Sequence, residues 1–542
     1  MYHKNSLFKF LSAIVLVCLL FSLGAPRVQA QSPASVAPQG AAVTVEPAVL
    51  ETMAAEGSAS YWIDFRDQAD LSAAYGLSWE ERGEYVYKQL TETANRSQAN
   101  VTAYLSDTGV TYQSYWVKNT IYVEKSNTVT LDGLLNFTEI SAIRAPQKFI
   151  LYEPEERGPV VEGGSINAAE VNLTHINADD AWGLGYDGTG LIVANIDTGV
   201  RYTHETLVDH YRGNLGGSFD HNYNWYDPAS STTVPTDGNG HGTHTMGTMV
   251  GDDGGANQIG VAPGAQWIAC GGCSDSGCPD TALLSCGQWM VAPTNLAGTN
   301  PDTTKRPHVV NNSWGDCGRT YDSWYETVIN SWHAAGIYPV FSNGNASNCS
   351  YSSPPGLNTV GNPARTGSVT GVGSTGQSNG TYATHSNWGP TDNLDTVNPT
   401  GGFSSLKPQV VAPGVNIRSS VPTNDSSYAS YTGTSMSAPH VTGLVALMWQ
   451  AGPCLVGDYA TTENLMESTA VDMIYDDGST TTPTNLPNFA TGWGEIDALA
   501  AVQAAELWCG DSTLTGTVTD AVTSAPIPEA TVIVTAVDPT NN

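Results

Sequence analysis

Between about Ala178 and Ala504 the sequence alternates short apolar runs with helical patterns, and this rhythm narrows the choice of fold more than any other feature. "LIVANID" and "HVVNNSW" are apolar runs of strand length, "YDSWYETVINSWHAAG" has helical spacing, and "IYPVFSN" returns to a strand. Strands that are apolar throughout are buried on both faces, as in a parallel sheet covered by helices on each side. The expected class is therefore α/β, a three-layer domain around a mostly parallel sheet. Ligands of such sheets lie beyond the carboxyl ends of the strands, so any chemistry belongs there.

The flanking regions have different textures. Residues 1–30 begin with His3, Lys4 and Lys9, run through "FLSAIVLVCLLF" and end in "VQA" before Gln31, the pattern of a secretory signal peptide. Its apolar core is shorter than the roughly 18 residues a membrane span needs, so the expected product is secreted, extracellular and free of the membrane once the signal is removed. Residues 31–57 are rich in Ala, Pro, Val and Ser and read as a linker. Residues 58–155 hold "SYWIDF" as a strand, an amphipathic helix over 78–105, "YQSYWVKNTIYVEK" as strand material and "QKFILYE" as a final strand, together a small α+β domain. Residues 156–177 read as a connecting segment ahead of a main domain over 178–508. After Cys509, residues 511–542 switch to short alternating β patterns with Pro and Asp turns, the start of a β-sandwich module too short to stand alone.

A formal charge of −32, in a chain whose charged residues make up only 13%, reflects scarce Lys and Arg and argues against nucleic acid as a partner. Apart from Cys18 in the leader, eight cysteines remain, an even number that favours disulfides in an exported chain. Cys270, Cys273, Cys278 and Cys286 follow a C-x2-C-x4-C-x7-C spacing, but no histidines stand close enough to complete a zinc knuckle. Spacing alone does not decide the connectivity.

Three segments could carry chemistry. In "VANIDTGV" an apolar strand delivers Asp197 into a Thr-Gly turn, a place where a lone carboxylate is more often a cap or turn residue. "NGHGTHTMGTMVG" places His241 and His244 at i and i+3 at a helix start, without the Glu that follows the first His of a zincin. A neutral imidazole at His241 can donate from its δ-nitrogen to a buried carboxylate and accept at its ε-nitrogen from a hydroxyl, with His244 packed inward. In "GTSMSAPHVTG", Ser435 falls where a loop enters a helix whose free N–H groups can face an oxyanion, and Ser437 and His440 are expected to be satisfied within the helix. The G-x-S-x-S spacing lacks the last Gly of the α/β-hydrolase elbow.

The order Asp197, His241, Ser435 is that of subtilisin itself. With "DTGV", "HGTHTMGT" and "GTSMSAPHVTG" in sequence, the chain resembles the subtilisin-like serine proteases, and its cysteine-bearing insert and "VVNNSWG" resemble the bacillopeptidase F-like branch. The resemblance implies a secreted serine endopeptidase acting on polypeptide substrates through an Asp/His/Ser triad and an acyl-enzyme. It makes Asn345 of "SNGNAS" the oxyanion donor, Ser313, Trp314 and Gly315 the strand that pairs with substrate, and Gly361 the floor of a specificity pocket for large apolar or aromatic side chains. It makes residues 58–155 a pro-domain that acts as an intramolecular inhibitor with its tail in the cleft, with cleavage expected between about Glu153 and Glu170. It makes 511–542 an incomplete carboxypeptidase regulatory-like module. The clustered cysteines are expected to staple the rim of the cleft.

No cofactor is expected for catalysis, and calcium only as a structural ion. The family often carries an Asp nine positions after its catalytic Asp as a calcium ligand, where this chain has Thr206, leaving the acidic loop "GDDGGANQIG" as the other source of oxygens. Two other readings compete: a sedolisin-type acid peptidase, disfavoured by His241 and Asn345, and a secreted binding protein that keeps the fold without the activity.

Overall fold

The computed structural model describes residues 42–162, 168–394, 404–475 and 486–510. The expected signal peptide and C-terminal β module lie outside the described residues.

Seven parallel strands form the central sheet, in the order Trp225–Tyr226, Gln266–Gly271, Ile192–Asp197, Val309–Asn312, Tyr338–Ser342, Thr370–Thr375 and Val410–Pro413. Alternate residues face opposite layers, as the period of a strand requires. Val193, Val309 and Val340 pack with the helices His241–Val250, Thr434–Ala451 and Ala498–Cys509, whereas Ala194, Val310 and Phe341 pack towards Asp280–Val291 and Glu326–Ala335. Each of the valines and the phenylalanine, fully buried, contributes about 1.5–3 kcal/mol, so the two cores fix the sheet between its layers. The short helix Val171–His175 already belongs to the first core through Leu173, followed by Ile176, so this domain begins before Ala178.

The N-terminal domain is a strand-helix-strand-helix-strand-strand-helix-strand unit over a five-stranded sheet, in the order Thr44–Val45, Ile140–Arg144, Ala59–Phe65, Thr120–Ser126, Thr111–Tyr115. Its long helix, Trp79–Asp107, starts at a capping box in which Ser78 accepts from Glu81 N and Glu81 accepts from Ser78 N. Tyr61, Ile63 and Phe65 point into the domain's own core, while Trp62 points the other way and donates to Asp280 Oδ2 at 2.7 Å. Residues 42–57 are not a linker. Pro47 at the first turn and Gly57 in a left-handed cap (φ 76°) delimit the helix Pro47–Glu56, which buries Val49 and Met53.

A second correction concerns "QKFILYE". The last strand of the small domain's sheet is Ile140–Arg144, and the next strand, Lys148–Leu151, leaves that sheet altogether. It lies antiparallel between Trp314–Gly315 and Cys278–Pro279 of the main domain. Its apolar pattern is that of a strand, but its partners are supplied by the cleft.

Candidate active site

The site collects at the carboxyl ends of the central strands. Asp197 is the last residue of its strand, and the helix carrying His241 begins against it. Close approach is allowed by Gly242, where a Cβ would stand 3.0 Å from Gly199 N and 3.1 Å from Asp197 Cβ. His241 Nδ1 donates to Asp197 Oδ1 at 2.8 Å, with Oδ2 at 3.1 Å, and both side chains are fully buried. Thr198 N and Thr245 Oγ1 also donate to that carboxylate, at 2.7 and 3.3 Å. Burial by itself would push the His241 imidazole down, but the Asp197 charge and hydrogen bond outweigh it and hold the imidazole above its ordinary value of 6.5.

Ser435 is the second residue of the helix Thr434–Ala451. Its hydroxyl donates to the carbonyl oxygen of Tyr152 at 2.9 Å. No hydrogen bond joins it to His241, whose Nε2 is buried without a partner among the described residues. The acid and the imidazole are thus linked, while the alcohol is turned towards a peptide carbonyl laid beside it.

That carbonyl belongs to the chain's own cleft strand. Trp314 pairs with Leu151 and Gly315 with Ile150, and Tyr152 N donates to Ser313 O at 3.3 Å. The Tyr152 ring enters a pocket bounded by Gly315, Gly344 and Gly361, and its hydroxyl donates to Asp316 O at 2.7 Å. A Cβ at Gly344 would stand 3.0 Å from Tyr152 Cζ, and one at Gly361 would overlap the tyrosine hydroxyl. Burial raises the Tyr152 phenol well above its ordinary value, so it stays a neutral donor. Asn345, three residues past the strand Tyr338–Ser342 and directly after the left-handed Gly344 (φ 94°), accepts from Thr434 N and Oγ1 at 2.9 Å each. Its amide donates to Glu153 O at 3.2 Å, one residue beyond the carbonyl under Ser435.

The other polar residues of the motifs are structural. His244 donates from Nε2 to Ile417 O at 2.9 Å, stacks on Tyr431 at 4.3 Å, and is pushed by burial down to about 3. His440 donates to Met436 O in its own helix but also accepts from Asn172 at 2.9 Å. Ser437 departs from expectation: its buried hydroxyl has no partner among the described residues, although Thr442 in the same helix does donate back to Ala438 O.

Sequence reasoning missed Asp237, which stands four residues before His241 in "DGNGH". Its carboxylate accepts from Thr198 Oγ1 (2.9 Å), Asn239 N (3.1 Å), Gly240 N (2.8 Å), and Thr243 N and Oγ1 (2.9 and 2.6 Å). It fixes the loop that carries His241 onto the turn after Asp197. The string reads as an ordinary turn, and only its proximity to the histidine could have drawn notice.

The eight cysteines form four disulfides, Cys270–Cys286, Cys273–Cys278, Cys317–Cys349 and Cys454–Cys509. The second closes the loop leading into Cys278–Pro279, which borders the cleft strand. The third joins the residue after Asp316 to the segment after Asn345, bracketing the tyrosine pocket. Among the described residues no cluster of three metal-ligating side chains occurs. Thr206 Oγ1 bonds to His204 Nδ1 at 3.0 Å, and Asp253 of the acidic loop accepts from Gly255 N and from Asn257 N and Nδ2, closing its own turn.

The subtilase family model matches residues 188–494, more than half of the chain. The chain belongs to the subtilase family. This subtilase is 37% identical over 432 residues to bacillopeptidase F of Bacillus subtilis (strain 168), an alignment covering 77% of the chain and 28% of that protein. It thus spans little more than a quarter of that relative's length. Subtilisin DY of Bacillus licheniformis is 31% identical over 301 residues, 55% of the chain and 90% of subtilisin DY. Fervidolysin of Fervidobacterium pennivorans, described as a keratinolytic enzyme related to subtilisin, shares the fold with a TM-score of 0.55 at 20% identity, over 86% of this chain and 63% of its own. Among the described residues no helix is long and apolar enough to cross a membrane.

Proposed function

We propose that this subtilase is a serine endopeptidase, made as an exported precursor, that hydrolyses polypeptides through Asp197, His241 and Ser435. The observation that carries the reading is the Tyr152 carbonyl lying 2.9 Å from Ser435 Oγ, next to an imidazole already hydrogen-bonded to a buried carboxylate. In the proposed reaction Ser435 Oγ attacks a peptide carbonyl carbon and its proton passes to His241 Nε2. Asp197 holds the imidazole in the tautomer that leaves Nε2 free to accept, and it stabilises the imidazolium. The imidazolium then protonates the leaving amine, and water releases the acyl group by the same relay. The oxyanion would be met by Ser435 N and Asn345 Nδ2, which requires a shift of the amide from Glu153 O to the attacked carbonyl.

The first substrate in this reading is the chain itself. Residues 42–152 act as an intramolecular inhibitor whose tail fills the cleft, and the bond after Tyr152 is the one to be cut. That position is just ahead of the window expected from the sequence, because the pocket selects the last aromatic residue of the cleft strand. The test is expression of Ser435→Ala beside the unaltered chain. The unaltered protein should yield a product with Glu153 at its N-terminus and react irreversibly with a fluorophosphonate, and the variant should do neither. A variant processed at the same bond at the same rate would overturn the reading.

A further inference from the structure

Beyond Tyr152 the chain does not leave the surface. Glu155 N donates to Thr432 O at 2.7 Å and Gly158 N to Ser430 O at 2.8 Å. The segment continues antiparallel to Ser427–Thr432, with Glu156 opposite Thr432, Arg157 opposite Tyr431, Val161 opposite Tyr428 and Glu162 opposite Ser427. The other edge of Ser427–Thr432 is taken by Ile417–Ser420, so the segment occupies its one open edge. The same strand runs through Gly433 directly into the helix that carries Ser435.

Side chains add to the backbone pairing. The Arg157 guanidinium donates to Asn239 O at 2.9 Å and Asn239 Oδ1 at 2.8 Å, and lies 5.0 Å above the Tyr431 ring. It also bonds to Glu153 Oε2 at 2.5 Å, while Glu153 Oε1 accepts from Asn239 Nδ2. Glu155 accepts from Ser347 N and Oγ at 3.2 and 2.6 Å, and Glu162 accepts from Asn424 at 2.9 Å. At Gly158 a Cβ would come 2.9 Å from Ser430 O, so the sixth residue after the bond must be small.

Resting on the hydrolytic reading above, we propose that Ser427–Thr432, with Asn239, Ser347 and Tyr431, is a binding track for some ten residues on the carboxyl side of the cut in polypeptide substrates. Chain direction is fixed by the pairing of Ile150–Leu151 with Trp314–Gly315, so a substrate seated in the same pocket runs out across the same edge. Backbone bonds to an edge strand are indifferent to sequence, and the side-chain contacts select an acid at the third position and an arginine at the fifth. The enzyme therefore favours long extended chains over short peptides.

The test uses the processed protein and three peptides: residues 148–162, the same peptide ending at Glu155, and the long peptide with Ala in place of Arg157. The long peptide should exceed the short one in kcat/KM by about tenfold or more, and the alanine peptide should lose about tenfold, both through KM, because the contacts lie far from the reacting bond. Since only the peptides vary, folding of the enzyme is not at stake. Equal kcat/KM for the long and short peptides overturns the track and leaves the hydrolase standing. Cleavage of no peptide, together with no fluorophosphonate labelling, overturns the hydrolytic reading and the track with it.

Discussion

Ser313 Oγ donates to the carbonyl oxygen of Ser435 at 3.3 Å. In an unbroken helix that carbonyl would accept from the N–H four residues on, but residue 439 is proline and has none. Pro439 is the sixth residue of its helix, beyond the first turn where a proline is free of cost, and Ser313 supplies the missing donor from the neighbouring strand end. One side chain therefore ties the backbone of the proposed nucleophile to the strand whose next residues, Trp314 and Gly315, pair with the cleft strand. Ser313→Ala should leave a buried carbonyl unsatisfied at a cost of about 1 kcal/mol or more. A lower urea midpoint in a Ser435→Ala background, where self-digestion is removed, would register it, and an unchanged midpoint would refute it.

The imidazole sets the pH dependence. In the proposed reaction His241 must be neutral to accept the Ser435 proton, and its value lies above 6.5 because Asp197 outweighs burial. Activity should accordingly rise with pH through a midpoint above 6.5 and be lost below it. Stability runs the other way: the stabilisation of the protonated ring is fully present below the unfolded value and is lost as pH rises through the higher folded value. Asp197→Asn removes the opposing charge, leaving burial to dominate, so the residual activity should show its acid limb displaced downward. A pH profile of kcat/KM on a short peptide checks both statements, and a midpoint near pH 4 for the unaltered protein would contradict the first.

What the sequence disclosed depended on whether a feature was local. Asp197, His241 and Ser435 each sit in a short string whose glycines allow close approach, and such strings are visible before folding. The alternation of apolar runs and helices is equally local, and the seven parallel strands follow from it. Lys148–Leu151 has the pattern of a strand, but periodicity does not say which sheet a strand joins. Ile140–Arg144 escaped notice because a register shift opposite Asp64 and Phe65 breaks its alternation. Asp237 is a turn residue by pattern, and its role exists only once Thr198, 39 residues away, is folded against it. Disulfide partners separated by between 5 and 55 residues share no spacing rule that would have paired them.

The pocket makes a prediction about side-chain choice. Gly315, Gly344 and Gly361 surround the Tyr152 ring, and a methyl group at Gly361 would occupy the place of its hydroxyl. Gly361→Ala should therefore lower kcat/KM for peptides with Tyr at the cleaved residue more than for those with Ala there, which feel only the shift that the same methyl forces on the Asp316 carbonyl. A steric clash of this kind costs about 1–3 kcal/mol, so the ratio of the two kcat/KM values should change by roughly tenfold or more. Parallel assays of the two peptides measure the ratio directly, and an unchanged ratio would place the selecting wall elsewhere.

The last prediction concerns what holds the N-terminal domain on its partner. Arg82, buried on the helix Trp79–Asp107, donates to Ala334 O at 2.8 Å, to Gly457 O at 2.9 Å and to His333 O. Trp79 Nε1 adds a bond to Gly336 O at 3.0 Å. Two of Arg82's acceptors lie in the last turn of Glu326–Ala335, where carbonyls lack partners within the helix and the helix dipole favours a cation. Gly336, left-handed at φ 78°, caps this helix through its own N–H to His333 O, and the N-terminal domain adds charged donors to the same last turn. Arg82→Ala removes hydrogen bonds from a charged donor worth about 1.5–3 kcal/mol each. Solvent can reach the freed carbonyls once the domains part, so the loss should appear as weaker inhibition more than as unfolding. After the Tyr152–Glu153 bond is cut, the variant should release the N-terminal fragment that ends at Tyr152 and gain activity on added peptide at least tenfold sooner than the unaltered protein. Time courses of activity and of the released fragment measure this, and identical courses would show that Arg82 contributes nothing to the grip.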